Sequence, residues 1–319
     1  MMIIGVMNAP SLPHGALRLA DWGLIRAQGA DAASFLQGQL TQDVVALPDD
    51  RARLAGFCSA KGRLMASFVV WRADRETFFL ACSADLLAPT LKRLSMFVMR
   101  AKCKLSDVSA EISLHGLVGA DALSALGVGS AGPWTVSATA DGQLVRLPDA
   151  EGLPRCLLAA PAASALPAAL LALPPLAPAD WAWLEVRSGV VRIVAATTEH
   201  FVPQMVNFEL VGGVNFQKGC YPGQEVVARS QYRGTLKRRL MAFEGAAPLA
   251  PGQDVFHSND PGQPAGQVAL SAQRPDGSSS ALIEVKLAAL DSGSLHIGAA
   301  DGPVLVRATL PYAIPTDAG

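Results

Sequence analysis

The segment with the most chemical character runs from residue 201 to 229. It gathers Gly212, Gly213, Gly219 and Gly223 around one cysteine, in the octapeptide Lys218-Gly219-Cys220-Tyr221-Pro222-Gly223-Gln224-Glu225. Glycine admits positive φ and the close approach of other groups, so a cysteine held in such a loop is presented rather than packed. Pro222 suits the start of a helix, and residues 224–229 read as that helix. Cys220 then lies just before a helix N-terminus and close to Lys218. Both features favour a thiolate, the nucleophilic and metal-binding form, while Glu225 acts in the opposite sense. Lys218 and Cys220 are the residues expected to carry the chemistry, with Gly219, Tyr221, Gly223, Gln224 and Glu225 as the motif that shapes it.

The remaining titratable groups offer less. Cys58, Cys82, Cys103 and Cys156 sit in or beside apolar segments and read as small core side chains. The cysteine count is odd, 5, with no CxxC spacing, which argues against a disulfide framework and against a self-contained zinc or iron–sulfur site. No metal ligand set is assigned, and a reduced compartment is expected. None of His14, His115, His200, His257 or His296 has an evident partner with which to form a nucleophile–base pair.

These residues need elements to position them. Residues 17–27 read as one or two strands. Asp31 is a helix N-cap for Phe35, Leu36 and Leu40 at helical spacing. Strands are expected over 54–58, 64–71 and 77–82, with the turn Ser59-Ala60-Lys61-Gly62 between the first two. A helix is expected over 86–99 and a short strand over 102–105. This series forms one α+β unit. Strand-like segments continue from 111 to 158. A helix over 181–187 ends at Gly189, the expected C-terminal glycine. Beyond Arg238, short apolar segments (240–243, 268–270, 282–285, 304–306) separated by Pro, Gly, Asp and Ser read as a small antiparallel β domain.

With 319 residues, half of them hydrophobic, the chain can build two or three domains. A net charge of −1 excludes the broad positive field of a nucleic-acid binder; the basic run from Arg233 to Arg239 is too short to change that. The apolar stretch 157–179 is broken by Pro161, Pro167, Pro174, Pro175 and Pro178, so it reads as a short helix and a proline-rich connector rather than a membrane span. Residues 1–13 lack the basic start and cleavage site of a signal peptide. A cytoplasmic protein with no membrane association and no stable nucleic-acid partner is expected.

The octapeptide resembles the K-G-C-[FY]-x-G-Q-E signature of the YgfZ family, folate-binding relatives of the glycine-cleavage T protein. The likeness extends through Phe201-Val202-Pro203-Gln204, Tyr232-Arg233-Gly234 and Lys237-Arg238. In the N-terminal half it covers Asp21-Trp22, the run from Phe35 to Val44, and Cys58-Ser59-Ala60-Lys61-Gly62-Arg63. It implies an α+β fold of three domains in a clover around a central channel, closed by a small C-terminal antiparallel β-barrel. Residues 1–51 plus 109–238 would form a discontinuous folate-binding domain, 52–108 an inserted α+β domain, and 239–319 the C-terminal domain. The resemblance implies tetrahydrofolate or a one-carbon derivative as cofactor, with Trp22 and Trp181 at the family's folate positions. It implies iron–sulfur client or assembly proteins as partners, including enzymes that thiolate tRNA.

Two departures bear on mechanism. T proteins carry a Glu-Ala-Gly triplet whose carboxylate meets the pterin; this chain has Arg187-Ser188-Gly189, and Glu185 is expected to point elsewhere. T proteins also carry paired aspartates in a hairpin, which corresponds here to residues 61–67 and holds no carboxylate, and an acid where this chain has Cys220. An aminomethyltransferase is therefore disfavoured. The other alternative is a folate-binding module without turnover.

Overall fold

The computed structural model describes residues 12–129, 131–163, 168–232, 236–274 and 276–315. Residues 1–11, on which the reading of the N-terminus rests, and Arg233, Gly234 and residue 235 of the basic run lie outside the described residues.

Three all-antiparallel sheets organise the chain. The first runs in the order Gly15–Arg18, Ile112–Val118, Leu153–Pro161, Gly142–Ala150, Val136–Thr139. The second runs Ala52–Cys58, Leu64–Asp74, Thr77–Ser83, Trp22–Gln28, Lys104–Asp107. The third is a closed barrel of Arg238–Gly245, Ser279–Lys286, Asp260–Gln273, Asp254–His257, Leu295–Ile297 and Val304–Ala308. All four apolar segments anticipated after Arg238 fall inside barrel strands, and closure removes the free edges that short antiparallel strands would expose.

The second sheet corrects the boundary expected at residue 52. Trp22–Gln28 is not an outlying strand: it pairs with Thr77–Ser83 on one side and with Lys104–Asp107 on the other. Both its faces are needed, since Leu24, Ile25 and Ala27 are wholly buried, and the helix Ala84–Ser95 packs so closely across it that a Cβ on Gly23 would lie within the Leu87 side chain. The chain therefore enters the first sheet at Gly15, crosses to the second at Trp22, and returns to the first at Ile112.

Most local readings coincide with observed elements. The helix expected over 181–187 spans Pro178–Arg187, with proline in its first turn and Gly189 at φ 71° just past its end. Asp31 stands at the N-cap position of the helix Ala32–Gln37, but its carboxylate accepts a hydrogen bond from the Lys102 backbone N at 2.7 Å instead of capping the helix. Within 157–179 a short helix covers Ala168–Leu171, residues 164–167 lying outside the described set. Among the described residues no helix is long and apolar enough to cross a membrane. Arg238 and Arg239, from the basic run, pair with Glu284 and Glu209.

Candidate functional site

Helix periodicity places three side chains of Pro178–Arg187 and its cap on one face: Trp181, Glu185 and Ser188, at i, i+4 and i+7. All three line a cavity of about 460 Å³, counted out to its open mouth, between this helix and the first two sheets. Trp22, at the start of its strand, and Trp134 line it too, with Ser67, Arg155 and Arg192. Trp181 is seated on Gly116 of the first sheet, where a Cβ would come 2.6 Å from the indole Cε3; only glycine there lets the ring lie flat against the strand. Trp134 holds a left-handed backbone, φ 67°, which is costly for a bulky residue.

The expectation for Glu185 and Arg187 is reversed by this geometry. Glu185 is buried and faces the cavity. Arg187, two residues on, projects from another side of the helix and pairs with Glu151 and, at 3.5 Å, Glu244. The cavity therefore contains a carboxylate and no Arg187 cation.

Arg192 ties the site together. Its Nε and Nη2 donate to the two Glu185 oxygens at 2.7 and 3.1 Å, Nη2 also to the Asp21 carboxylate at 2.6 Å, and Nη1 to Ser83 Oγ at 2.9 Å. The guanidinium lies 4.9 Å above the Trp22 ring. These carboxylates hold the Arg192 pKa above its ordinary value, more than offsetting burial. Arg155 repeats the stacking on Trp181, at 5.3 Å. Trp22 Nε1, Trp181 Nε1 and Arg155 Nη1 are buried donors without a hydrogen-bond partner, in a fold where such groups are normally satisfied. Two further clefts share walls with this one. One shares Leu54 and Trp134 and reaches Gly212; the other shares Glu185 and Arg192 and reaches Leu270 and Ser271 of the barrel.

The Cys220 loop is built by the N-terminal segments whose sequence stood out. Lys218, buried, donates from Nζ to the carbonyls of Gln37 and Leu40, the latter at 2.6 Å, and lies 5.2 Å from the Tyr221 ring. Thr41 Oγ1 donates to Gly213 O at 2.6 Å and Gln42 Nε2 to Gly212 O at 2.6 Å. Burial draws the Lys218 pKa down to about 8. Its ammonium is thus turned toward carbonyls beneath the loop. Tyr221 is buried, and burial raises its phenol pKa. Gly219 and Cys220 are exposed, and the helix Gln224–Tyr232 begins just beyond, with Glu225 paired to Arg229 at 3.0 Å on its open surface. Gly223, at φ 78°, lies against the turn Ser59–Gly62.

The remaining cysteines differ sharply. Cys58, Cys82 and Cys156 are buried and Cys103 half-buried, and burial pushes the first three up to about 12. Cys220 does not line the tryptophan cavity. Among the described residues no cluster of three or more His, Cys, Asp or Glu is placed to hold a metal ion. Sequence reading missed Trp134, Arg155 and Arg192. A signal existed for the two arginines, since each interrupts an apolar run, Leu153–Pro161 and residues 189–196, where a charge is retained only for a partner or a purpose.

The fold and this cavity define the class. Residues 17–131 match the family described as the GCVT N-terminal domain. The chain superimposes on the glycine cleavage system aminomethyltransferase T from Bartonella henselae with a TM-score of 0.74 at 17% identity, over 92% of this chain and 84% of that one. It is thus a protein of the T-protein fold. It is 36% identical over 268 residues to the tRNA-modifying protein YgfZ of Edwardsiella ictaluri, covering 77% of this chain and 75% of that one. It is 32% identical over 317 residues to the protein of that name from Sodalis glossinidius, covering 95% and 94%. The chain belongs to the YgfZ family.

Proposed function

We propose that this protein binds tetrahydrofolate, or a one-carbon derivative, in the tryptophan-lined cavity and supports the assembly or repair of iron–sulfur enzymes, tRNA-thiolating enzymes among them, through Cys220. The observation that carries the folate reading is the convergence of Trp22 and Trp181 on one cavity with both indole N–H groups unpartnered. A reduced pterin or aminobenzoyl ring stacks on indole and presents oxygen and nitrogen acceptors to those donors, and Glu185 supplies a carboxylate to accept from ring N–H groups. Bound folate would carry the one-carbon unit; the chain's own residues provide the stacking planes, the donors and the shelter from water.

The thiol sits on a separate surface. A nucleophile or soft ligand that is exposed and outside the folate cavity is reachable by a second protein, which fits an accessory role better than turnover within the cleft. The protein is accordingly read as cytoplasmic, with folate and iron–sulfur client or assembly proteins as its partners.

Titrating the purified protein with tetrahydrofolate and its one-carbon forms is expected to change tryptophan fluorescence saturably. No response to any of them removes the ligand from this reading. The aminomethyltransferase alternative has its own test. The hairpin that follows Cys58 is free of carboxylates through Ser67, so no acid stands there to stabilise a cationic transferring group. With an aminomethylated lipoyl carrier protein as substrate, methylene-tetrahydrofolate formation is expected at background; turnover comparable with a true T protein would overturn this.

A further inference from the structure

Of the two arginines in the cavity, one is fully engaged and one is not. Arg192 is held by Glu185, Asp21 and Ser83. Arg155, from the middle of the strand Leu153–Pro161, is only 3% exposed, yet no carboxylate of the described residues lies within ion-pairing distance of it. Its Nε donates to Pro148 O at 3.2 Å, its plane rests on Trp181, and Nη1 is buried without a partner. The neighbouring Arg146 has its own acid, Asp149. Burial lowers the Arg155 pKa to about 10, so the group remains a cation at neutral pH.

A buried cation with a free donor is expensive to keep. A fold that only needed to fill this volume would use an apolar side chain. The cost is recovered when an acceptor enters from outside the chain.

We propose that Arg155 is the group by which the cavity recognises its ligand, donating from Nη1 to an oxygen of a planar molecule stacked against Trp181. The identity of that molecule as a folate rests on the reading above; the need for an oxygen acceptor does not. In a folate the oxygen is either the ring carbonyl of the pterin head or a carboxylate of the tail.

The test uses the full-length protein with Arg155→Met, which keeps an apolar stem of similar reach and removes the charge. Without ligand, Arg155→Met is expected to melt at or above the wild-type temperature, because an uncompensated buried charge is gone. Its affinity for tetrahydrofolate is expected to fall at least about tenfold, as for loss of a hydrogen bond to a charged group. Two further probes locate the oxygen. A parallel loss for a tetrahydropterin without a tail assigns the head carbonyl; a parallel loss for p-aminobenzoylglutamate assigns the tail carboxylate. Unchanged affinity for tetrahydrofolate overturns the proposal. A melting temperature several degrees lower also overturns it, since Arg155 would then be a structural strut.

If the wild type ignores all three folate probes, benzoate separates the two ideas. A benzoate-induced thermal shift present in the wild type and absent in Arg155→Met sustains the role of Arg155 while the folate reading falls; no shift in either protein overturns both.

Discussion

Gly223→Ala is expected to abolish whatever depends on Cys220, while Gly219→Ala in the same loop leaves it intact. The two glycines flank the cysteine in the octapeptide and look equivalent in sequence, but their surroundings differ. A Cβ on Gly219 would meet nothing within 4 Å. Gly223 has φ 78°, and its Cβ would stand 2.6 Å from Gly62 Cα and 2.7 Å from Gly62 N, closer still to the Ser59 carbonyl oxygen. The obstruction is backbone, so no rotamer relieves it. Gly62 answers in kind: at φ 71° its own Cβ would lie 2.8 Å from Val226 Cβ. The Cys220 loop and the Ser59–Gly62 turn therefore approach backbone to backbone, glycine on glycine.

Forcing a side chain into the left-handed region costs roughly 1–3 kcal/mol, and steric overlap with fixed backbone adds to it, so a total of about 3 kcal/mol or more is expected. The loop would then lift from the hairpin, taking Cys220 away from the helix start. Melting curves and complementation of cells lacking the native protein, run on both variants, check this. Wild-type melting and full complementation by Gly223→Ala would contradict it.

That contrast shows what sequence alone could and could not disclose. The octapeptide announced a shaped loop, and local patterns marked the helix Pro178–Arg187 because proline, apolar spacing and Gly189 all report on a few adjacent residues. What it packs against is non-local. Gly62 meets Gly223 across more than half the chain, and nothing in either segment names the other. Trp22–Gln28 was separated from the residue 52–108 unit for the same reason: its partners in the sheet, Thr77–Ser83 and Lys104–Asp107, are remote along the chain.

Glu185 was misplaced through a different cause. Matching Arg187-Ser188-Gly189 to the T-protein triplet fixed attention on a sequence position, whereas the face of the helix is what decides. Once Trp181 faces the cavity, residues four and seven further on must follow, and Arg187 must not. Arg155 and Arg192 were readable as charges within apolar runs, but which of them would find carboxylates required the fold.

Replacing Cys220 by serine is expected to leave the fold untouched and to abolish support of iron–sulfur enzyme activity in cells lacking the native protein. The side chain is exposed, so serine, nearly equal in volume, neither opens a cavity nor buries a hydroxyl. What is lost is the polarisable sulfur, which alone of the two can serve as thiolate nucleophile or soft metal ligand. The other cysteines give the control. Cys58→Ser, Cys82→Ser and Cys156→Ser each place a hydroxyl where the thiol is buried, at a cost of about 1–3 kcal/mol where it finds no partner, and are expected to act through stability alone.

Alkylation of the native protein orders the thiols independently of any cellular assay. Cys58, Cys82 and Cys156, pushed up to about 12 by burial, present almost no thiolate at neutral pH and are shielded from reagent. Cys103 is half-buried, with burial and then Asp31 raising its pKa, and should react slowly. Cys220, open to solvent before a helix start, should react first. Raising the pH from 7 to 9 should increase the Cys103 rate, by increasing its thiolate fraction, while the three buried thiols stay silent until the protein unfolds. Full complementation by Cys220→Ser would show that the sulfur is dispensable, and Cys220 as the slowest thiol would show that the loop hides it. Either outcome would leave Gly223 and its fit against Gly62 as the reason for the octapeptide's form.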